Sequence, residues 1–320
     1  MARKPRSQRI ITGYLIISGL LAFLYISVSI TIALAVTYRP PIPITTTPAS
    51  LGLDYRDVTF LSREDHLLLR GWFIPGILPD GRLTVEQTVI QVHGTNNNRA
   101  MVLDIDASLA RQGIAVLAFD SRGNGESAPA PSGGGYFEQR DILGAVDFLQ
   151  SGPLPYPELG RPKAIGGWGI SVGGAALIYA AAQEPAIKAI VIDSAYATMA
   201  EYIEPAFGPY FIFIPGTRFT ELMLYGVDYA SVRPVDVIAK IAPRPIFLIQ
   251  GAADTVILPS NMVELAAAAS AVPGAHVQTW LVPHAHHIQA YKLVKNTYID
   301  RLVTFFHSEL STESSTVSGK

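Results

Sequence analysis

From residue 57 to residue 283 the chain keeps returning to short apolar, β-branched runs. They are DVTFL, LLLRGWFI, TVIQVHG, IAVLAFD, KAIGGWG, IKAIVID, PIFLIQG and VQTWLVP. Between the later ones stand EQRDILGAVDFLQ, GGAALIYAAAQ and SNMVELAAAAS, which have helical spacing. Near-continuous apolar strands are buried on both faces, and strands that alternate with helices pack as a parallel sheet with helices on either side. The first two runs have no helix between them and are expected to form an antiparallel hairpin at one edge. The expected fold is therefore α/β: a mostly parallel eight-stranded sheet flanked by helices. Ligands of such sheets bind just beyond the carboxyl ends of the strands, so the residues following each run are the ones to inspect.

The apolar content exceeds what the sheet explains. Of the 320 residues 49% are hydrophobic and 16% charged, with a mean hydropathy of +0.29. Residues 10–38 supply the excess, because they carry no charge. About 20 apolar residues span a bilayer as a helix, so this run is long enough even when tilted. Arg3, Lys4, Arg6 and Arg9 precede it without an acid, which by the positive-inside bias keeps residues 1–9 in the cytoplasm and exports the rest. A signal peptide cut near Ala33-Leu34-Ala35 is the alternative, but signal cores run only about 7–15 residues. The reading is one retained transmembrane helix, with a secreted domain if it is cut. RPPIPITTTPASLGL follows, and residues 39–54 are expected to be an extended Pro/Thr-rich spacer. The catalytic domain is placed at 55–309 and a disordered polar tail at 310–320.

Other classes can be excluded early. With no cysteine there is neither a disulfide nor a thiolate site. Setting aside Arg3, Lys4, Arg6, Arg9 and Arg39 leaves 19 basic and 26 acidic residues, a net charge of −7. Such a domain is not expected to bind nucleic acid.

Three candidate groups follow strands. GGWGISVGG holds five glycines in nine residues around Ser171. Its core, Gly169-Ile170-Ser171-Val172-Gly173, is the G-x-S-x-G pattern of a nucleophile elbow, a sharp strand-to-helix turn that exposes the hydroxyl and leaves no room for a neighbouring Cβ. Asp254 follows PIFLIQG, and His284, His286 and His287 follow VQTWLVP. A neutral serine needs an imidazole to take its proton, and the imidazole needs a carboxylate to fix its tautomer. The chain order Ser, Asp, His is the one such a triad takes on this sheet.

These motifs, with His93-Gly94 and DSRGNGES at 120–127, resemble the α/β-hydrolase superfamily over residues 55–309, in its serine aminopeptidase-like and esterase-like branch. The resemblance implies Ser171 as nucleophile, Asp254 as the acid and His287 as the base, because an aromatic, Tyr291, stands four residues on. His286 and Asp193, the latter at the end of AIKAIVID, are the alternatives. It also implies oxyanion donors in the backbone N–H groups of Val172 and Thr95, a structural role for the Asp120 loop, and a cap inserted after the sixth strand at about 196–240. His93 is expected to support its turn, and Thr95–Arg99 to shape the loop over the site.

The insertion is rich in aromatics, among them Tyr202, Phe207, Phe213 and Tyr225, which fits a cap over an apolar acyl group in a small-molecule substrate, ordinary helix packing, or a stretch that rests against the membrane. Three histidines in four residues invite a metal, but no H-E-x-x-H helix accompanies them, and neither metal nor cofactor is expected. The functional expectation is a membrane-anchored serine hydrolase acting on a carboxylic ester through an acyl-enzyme. A peptidase or acyltransferase on the same triad is the enzymatic alternative, with Glu201 and Glu204 as the hint of an amine site. A catalytically silent, anchored binding module is the non-enzymatic one.

Overall fold

The computed structural model describes residues 5–311. The expectations for the first four residues and for the tail beyond 311 lie outside the described residues.

Eight strands form one sheet in the order β1-β2-β6-β5-β7-β8-β9-β10. They are β1 (Arg56–Leu61), β2 (Leu68–Ile74), β5 (Gln87–Val92), β6 (Ala115–Phe119), β7 (Ala164–Ile170), β8 (Ile187–Asp193), β9 (Ile246–Gly251) and β10 (Val277–Val282). Only β2 pairs antiparallel, with β1 on one side and β6 on the other. The expected edge hairpin and parallel core are both present, and each apolar run became a strand. A two-stranded ribbon, β3 (Gly76–Ile77) with β4 (Leu83–Thr84), lies apart from the sheet and was not anticipated.

Along β6 the side chains alternate between two cores. Ala115, Leu117 and Phe119 face one cluster, Val116 and Ala118 the other, as a period of two dictates. Helices α3 (Glu138–Ser151), α4 (Val172–Gln183) and α7 (Ser260–Ser270) close the first face. Helices α2 (Leu103–Arg111) and α9 (Lys295–Glu309) close the second, with Trp168 and Tyr298 at its centre. A short helix, α8 (Ala290–Leu293), leads into α9. Because both faces are covered, the loops at the strand ends are what solvent and ligands can reach.

Between β8 and β9 the chain forms the insertion, with helix α5 (Met199–Phe207), a 3-10 segment Gly208–Phe213, and helix α6 (Ile214–Tyr225). Helix α1 runs unbroken from Arg6 to Thr37 and is the helix among the described residues long and apolar enough to cross a membrane. Its last turns lie against α6. Tyr25, Ser29, Ala33 and Thr37, each four residues apart, form the contact stripe, and the last three are buried. A Cβ on Gly216 would stand 2.3 Å from Ser29 Oγ, so only glycine lets the two helices approach this closely.

The segment 39–54 departs from expectation. It is extended for much of its length, but it lies on the domain and does not hang free. Asn98 Nδ2 donates to the carbonyls of Ile42 and Pro43, Arg111 to that of Leu51, and Leu53 is buried. Proline-rich chain keeps its carbonyls unpaired, and here the domain supplies the donors.

Candidate active site

Ser171 stands between β7 and α4 with φ 54° and ψ −121°, a left-handed conformation that a residue with a Cβ adopts only when the surroundings hold it there. They hold it by hydrogen bonds. Ser171 N–H donates to the Asp193 carbonyl at 2.8 Å, and the Ser171 carbonyl accepts from Gly174 and Ala175. The glycines answer to the same turn. A Cβ on Gly169 would lie 2.6 Å from the Gly173 carbonyl oxygen, and one on Gly173 would lie 2.4 Å from that of His93. Backbone cannot rotate out of the way, so these two positions admit only glycine without a shift of the chain.

The histidine loop crosses the end of β9. The Ala285 carbonyl would be 2.3 Å from a Cβ on Gly251, and it accepts from Ala253 N–H at 2.9 Å. This crossing sets His287 between the other two groups. Its Nε2 is 3.2 Å from Ser171 Oγ, and its Nδ1 is 2.8 Å from Asp254 Oδ2. Asp254 is buried and fixed on all sides: Oδ1 accepts from Val256 and Ile257 N–H, and Oδ2 also accepts from Gln250 Nε2. A carboxylate held this way orders the imidazole with its proton on Nδ1, leaving the Nε2 lone pair toward the serine hydroxyl.

The alternatives are placed elsewhere. His284 and His286 are exposed. Asp193 is buried with its oxygens taken by the Tyr298 and Ser194 hydroxyls at 2.7 Å each, and burial pushes its carboxyl above the usual carboxylate range. Its carboxylate makes no hydrogen bond to His287. Among the described residues no group of three His, Cys, Asp or Glu side chains is arranged to hold a metal ion.

The turn after β5 passes over the elbow, where a Cβ on Gly94 would lie 3.5 Å from Ser171 Cβ. His93 holds this turn. Its Nδ1 donates to the Gly94 carbonyl and its Nε2 accepts from Ser121 N–H. Burial drives its pKa down, so it stays neutral and structural. Asp120 ties the following loop by accepting from Arg99 N–H and Nη1 and from Glu126 N–H, while the Arg99 guanidinium lies 4.6 Å from the Trp72 ring centre. Asn98 and Arg99 are therefore buried parts of the loop and not solvated ones. Among the described residues the N–H groups of Thr95 and Val172 make no hydrogen bond within the chain.

Two cavities, of about 290 and 160 Å³, reach the elbow at Val172, although neither is lined by Ser171 itself. They share Arg39, Thr95, Ser132 and Val172 as walls. The smaller runs beneath the insertion, between Met199, Tyr202, Ile203 and Phe207 on one side and Ile214 and Thr217 on the other. The insertion thus roofs the smaller cavity. Residues from the N-terminal segment also contribute, with Val36 in one cavity, Thr37, Tyr38 and Pro41 in the other. Sequence reasoning missed them, since it treated 10–54 as anchor and spacer. Glu201 and Glu204 are exposed and line neither cavity. The carboxyl in the smaller cavity is that of Glu221, the one acid within the apolar stretch 205–227. It is 3% exposed, and burial raises its pKa to about 7.

A family profile described as "Serine aminopeptidase, S33" matches residues 84–233. That span includes the turn after β5, the elbow and most of the insertion. The chain is 28% identical over 263 residues to "Uncharacterized protein YfhR" of Salmonella typhi, covering 79% of this chain and 82% of the relative. Over a shorter stretch of 140 residues it is 34% identical to "Thiohydrolase aneE" of Aspergillus aculeatus, 43% of this chain and 40% of that one. Its fold is similar to that of the Pyrococcus furiosus esterase Pf2001, with a TM-score of 0.68 at 24% identity over 86% of this chain and 100% of the other.

Proposed function

We propose that the chain is a serine hydrolase of the α/β-hydrolase kind, and more finely a membrane-anchored esterase working through Ser171, His287 and Asp254. The observation that carries this reading is the chain of contacts from Ser171 Oγ through His287 to Asp254, at 3.2 and 2.8 Å, on a strained elbow.

In the reaction Ser171 Oγ attacks the ester carbonyl carbon while its proton passes to His287 Nε2. The oxyanion so formed lies at the N–H groups of Val172 and Thr95, donors that act only once the charge develops; losing one such donor costs about 10²–10³ in rate. Collapse expels the alcohol, which takes the proton from His287. Water then attacks the acyl-enzyme, giving its proton to the same nitrogen, and the acid leaves as Ser171 is re-protonated. Asp254 keeps the imidazole in the tautomer both half-reactions need. The apolar smaller cavity suits an acyl group.

The N-terminal helix is read as a retained anchor, because Ala33 lies within the stripe packed on α6 and cutting there would strip the cap of its support. Arg6 and Arg9 ahead of the apolar run keep the N-terminus cytoplasmic, and the domain lies outside. A peptidase is the second reading, favoured by Glu221, which stands in the cavity where a substrate amine would need a carboxylate.

The test is labelling of the full chain, solubilised in mild detergent, with a fluorescent fluorophosphonate. Wild type is expected to label, and both Ser171→Ala and His287→Ala to abolish it. Folded wild type that stays unlabelled would move the silent binding module ahead, and loss with His286→Ala in place of His287→Ala would reassign the base.

A further inference from the structure

Helix α1 divides sharply by exposure. From Arg6 to Leu24 every residue but Gly13 is exposed, and contact with the domain begins at Tyr25. The uncharged part of this bare stretch, residues 10–24, is about 22 Å long at about 1.5 Å per residue, against a hydrocarbon core of about 30 Å. A bilayer that begins after Arg9 therefore reaches past Leu24 to the level of Tyr25 and the turn that follows it.

At that level stands the tip of the cap. The Tyr25 hydroxyl donates to the Ile212 carbonyl at 3.0 Å and accepts from Gly216 N–H at 3.1 Å, and its ring stacks on Phe213 with centroids 5.4 Å apart. Next to it Tyr210, Phe211 and Ile212 are 63, 63 and 54% exposed. No charge occurs from residue 205 to residue 217. Aromatic side chains concentrate where lipid meets water, and a contiguous apolar patch facing water is unfavourable.

Phe207 and Ile214, which bracket the tip in the chain, line the smaller cavity, and so do Thr95 and Val172, the latter next to Ser171. We infer that the tip Tyr210–Ile212 rests in the lipid–water interface and that the cavity behind it draws its substrate from the bilayer, so that the substrate is an ester borne by a membrane-resident amphiphile whose acyl chain enters between Phe207 and Ile214. This rests on the anchored esterase reading and adds to it the source and class of the substrate.

The full chain is reconstituted in phosphatidylcholine vesicles and given two fluorogenic esters, 4-methylumbelliferyl oleate in the bilayer and the butyrate in water. For Tyr210→Ser/Phe211→Ser/Ile212→Ser the oleate rate is expected to fall about tenfold or more, as losing roughly one to two kcal/mol of interfacial contact would produce. The butyrate rate should stay within about twofold, since none of the three residues lines a cavity. Equal loss on both esters, or no loss on either, overturns the inference. Independently of turnover, Phe211→Trp is expected to show emission quenched by brominated phosphatidylcholine beyond that of wild type, and no added quenching would also overturn it. If wild type cleaves neither ester, the esterase reading fails while the quenching still decides where the tip sits.

Discussion

Replacing Asp254 by asparagine changes one atom and tests the whole relay. Asp254 accepts four hydrogen bonds, from Val256 N–H at 2.8 Å, Ile257 N–H at 3.0 Å, Gln250 Nε2 at 2.8 Å and His287 Nδ1 at 2.8 Å. An asparagine has one oxygen to offer. If that oxygen keeps the two backbone donors, its NH₂ faces His287 Nδ1, which must give up its proton to accept. The proton then moves to Nε2, the nitrogen 3.2 Å from Ser171 Oγ, and the base is blocked while shape and packing survive. A wrong tautomer of this kind lowers kcat about 10⁴-fold, or about 5 kcal/mol of barrier. The assay is kcat on a short activated ester, with a thermal melt to establish that the variant folds. Asp193→Asn is the companion, because Asp193 is engaged by Tyr298 and Ser194 and is expected to leave the tautomer alone. Activity of Asp254→Asn within tenfold of wild type would refute the relay, and so would an equal loss in Asp193→Asn.

Two other perturbations probe different parts of the molecule. In Gly173→Ala the new Cβ would meet the carbonyl oxygens of His93 and Val92 at 2.4 and 2.5 Å. Overpacking of this kind typically costs about 1–3 kcal/mol, and the same shift displaces Thr95 from Val172, so both the urea midpoint and kcat should drop; a variant native in both would show the turn to be slack. Glu221 tests pH dependence. Unfolded, it ionises near 4.5, whereas in the fold burial holds the proton until about pH 7. Between those values the folded state binds the extra proton, so stability falls as pH rises, by about 1–3 kcal/mol over the window. Glu221→Gln cannot ionise and should flatten that part of the curve of Tm against pH; parallel curves would exclude Glu221 as its source.

The parts legible in the sequence were those where one physical pattern admits one outcome. Doubly covered strands are near-continuously apolar, and Ala189–Ile192 or Ile246–Ile249 carry no second signal to confuse them. The elbow was legible because Gly169 and Gly173 pack against backbone, a demand no other residue meets. The segment 39–54 was misread because a proline-rich chain looks the same whether it hangs in solvent or is held by Asn98. The stripe Tyr25, Ser29, Ala33, Thr37 was present in the letters, but in a run read as lipid-facing all round, small polar residues do not announce a protein partner. Glu221 escaped notice for a related reason. Its burial depends on α6 turning inward, and nothing local to the stretch 214–225 says which side faces the cavity.

The backbone at Ser171 has a consequence beyond chemistry. A side chain at φ 54° and ψ −121° costs on the order of 1–3 kcal/mol relative to relaxed backbone. Glycine at this position would relieve it without disturbing the glycine-lined turn. Losing this hydroxyl therefore relieves strain that the fold otherwise has to hold, less the unfolded-chain entropy that glycine adds. A library of variants sorted only for folding would drift toward Ser171→Gly. A lineage that keeps the serine is giving up stability in every generation, and does so only while the hydroxyl is in use.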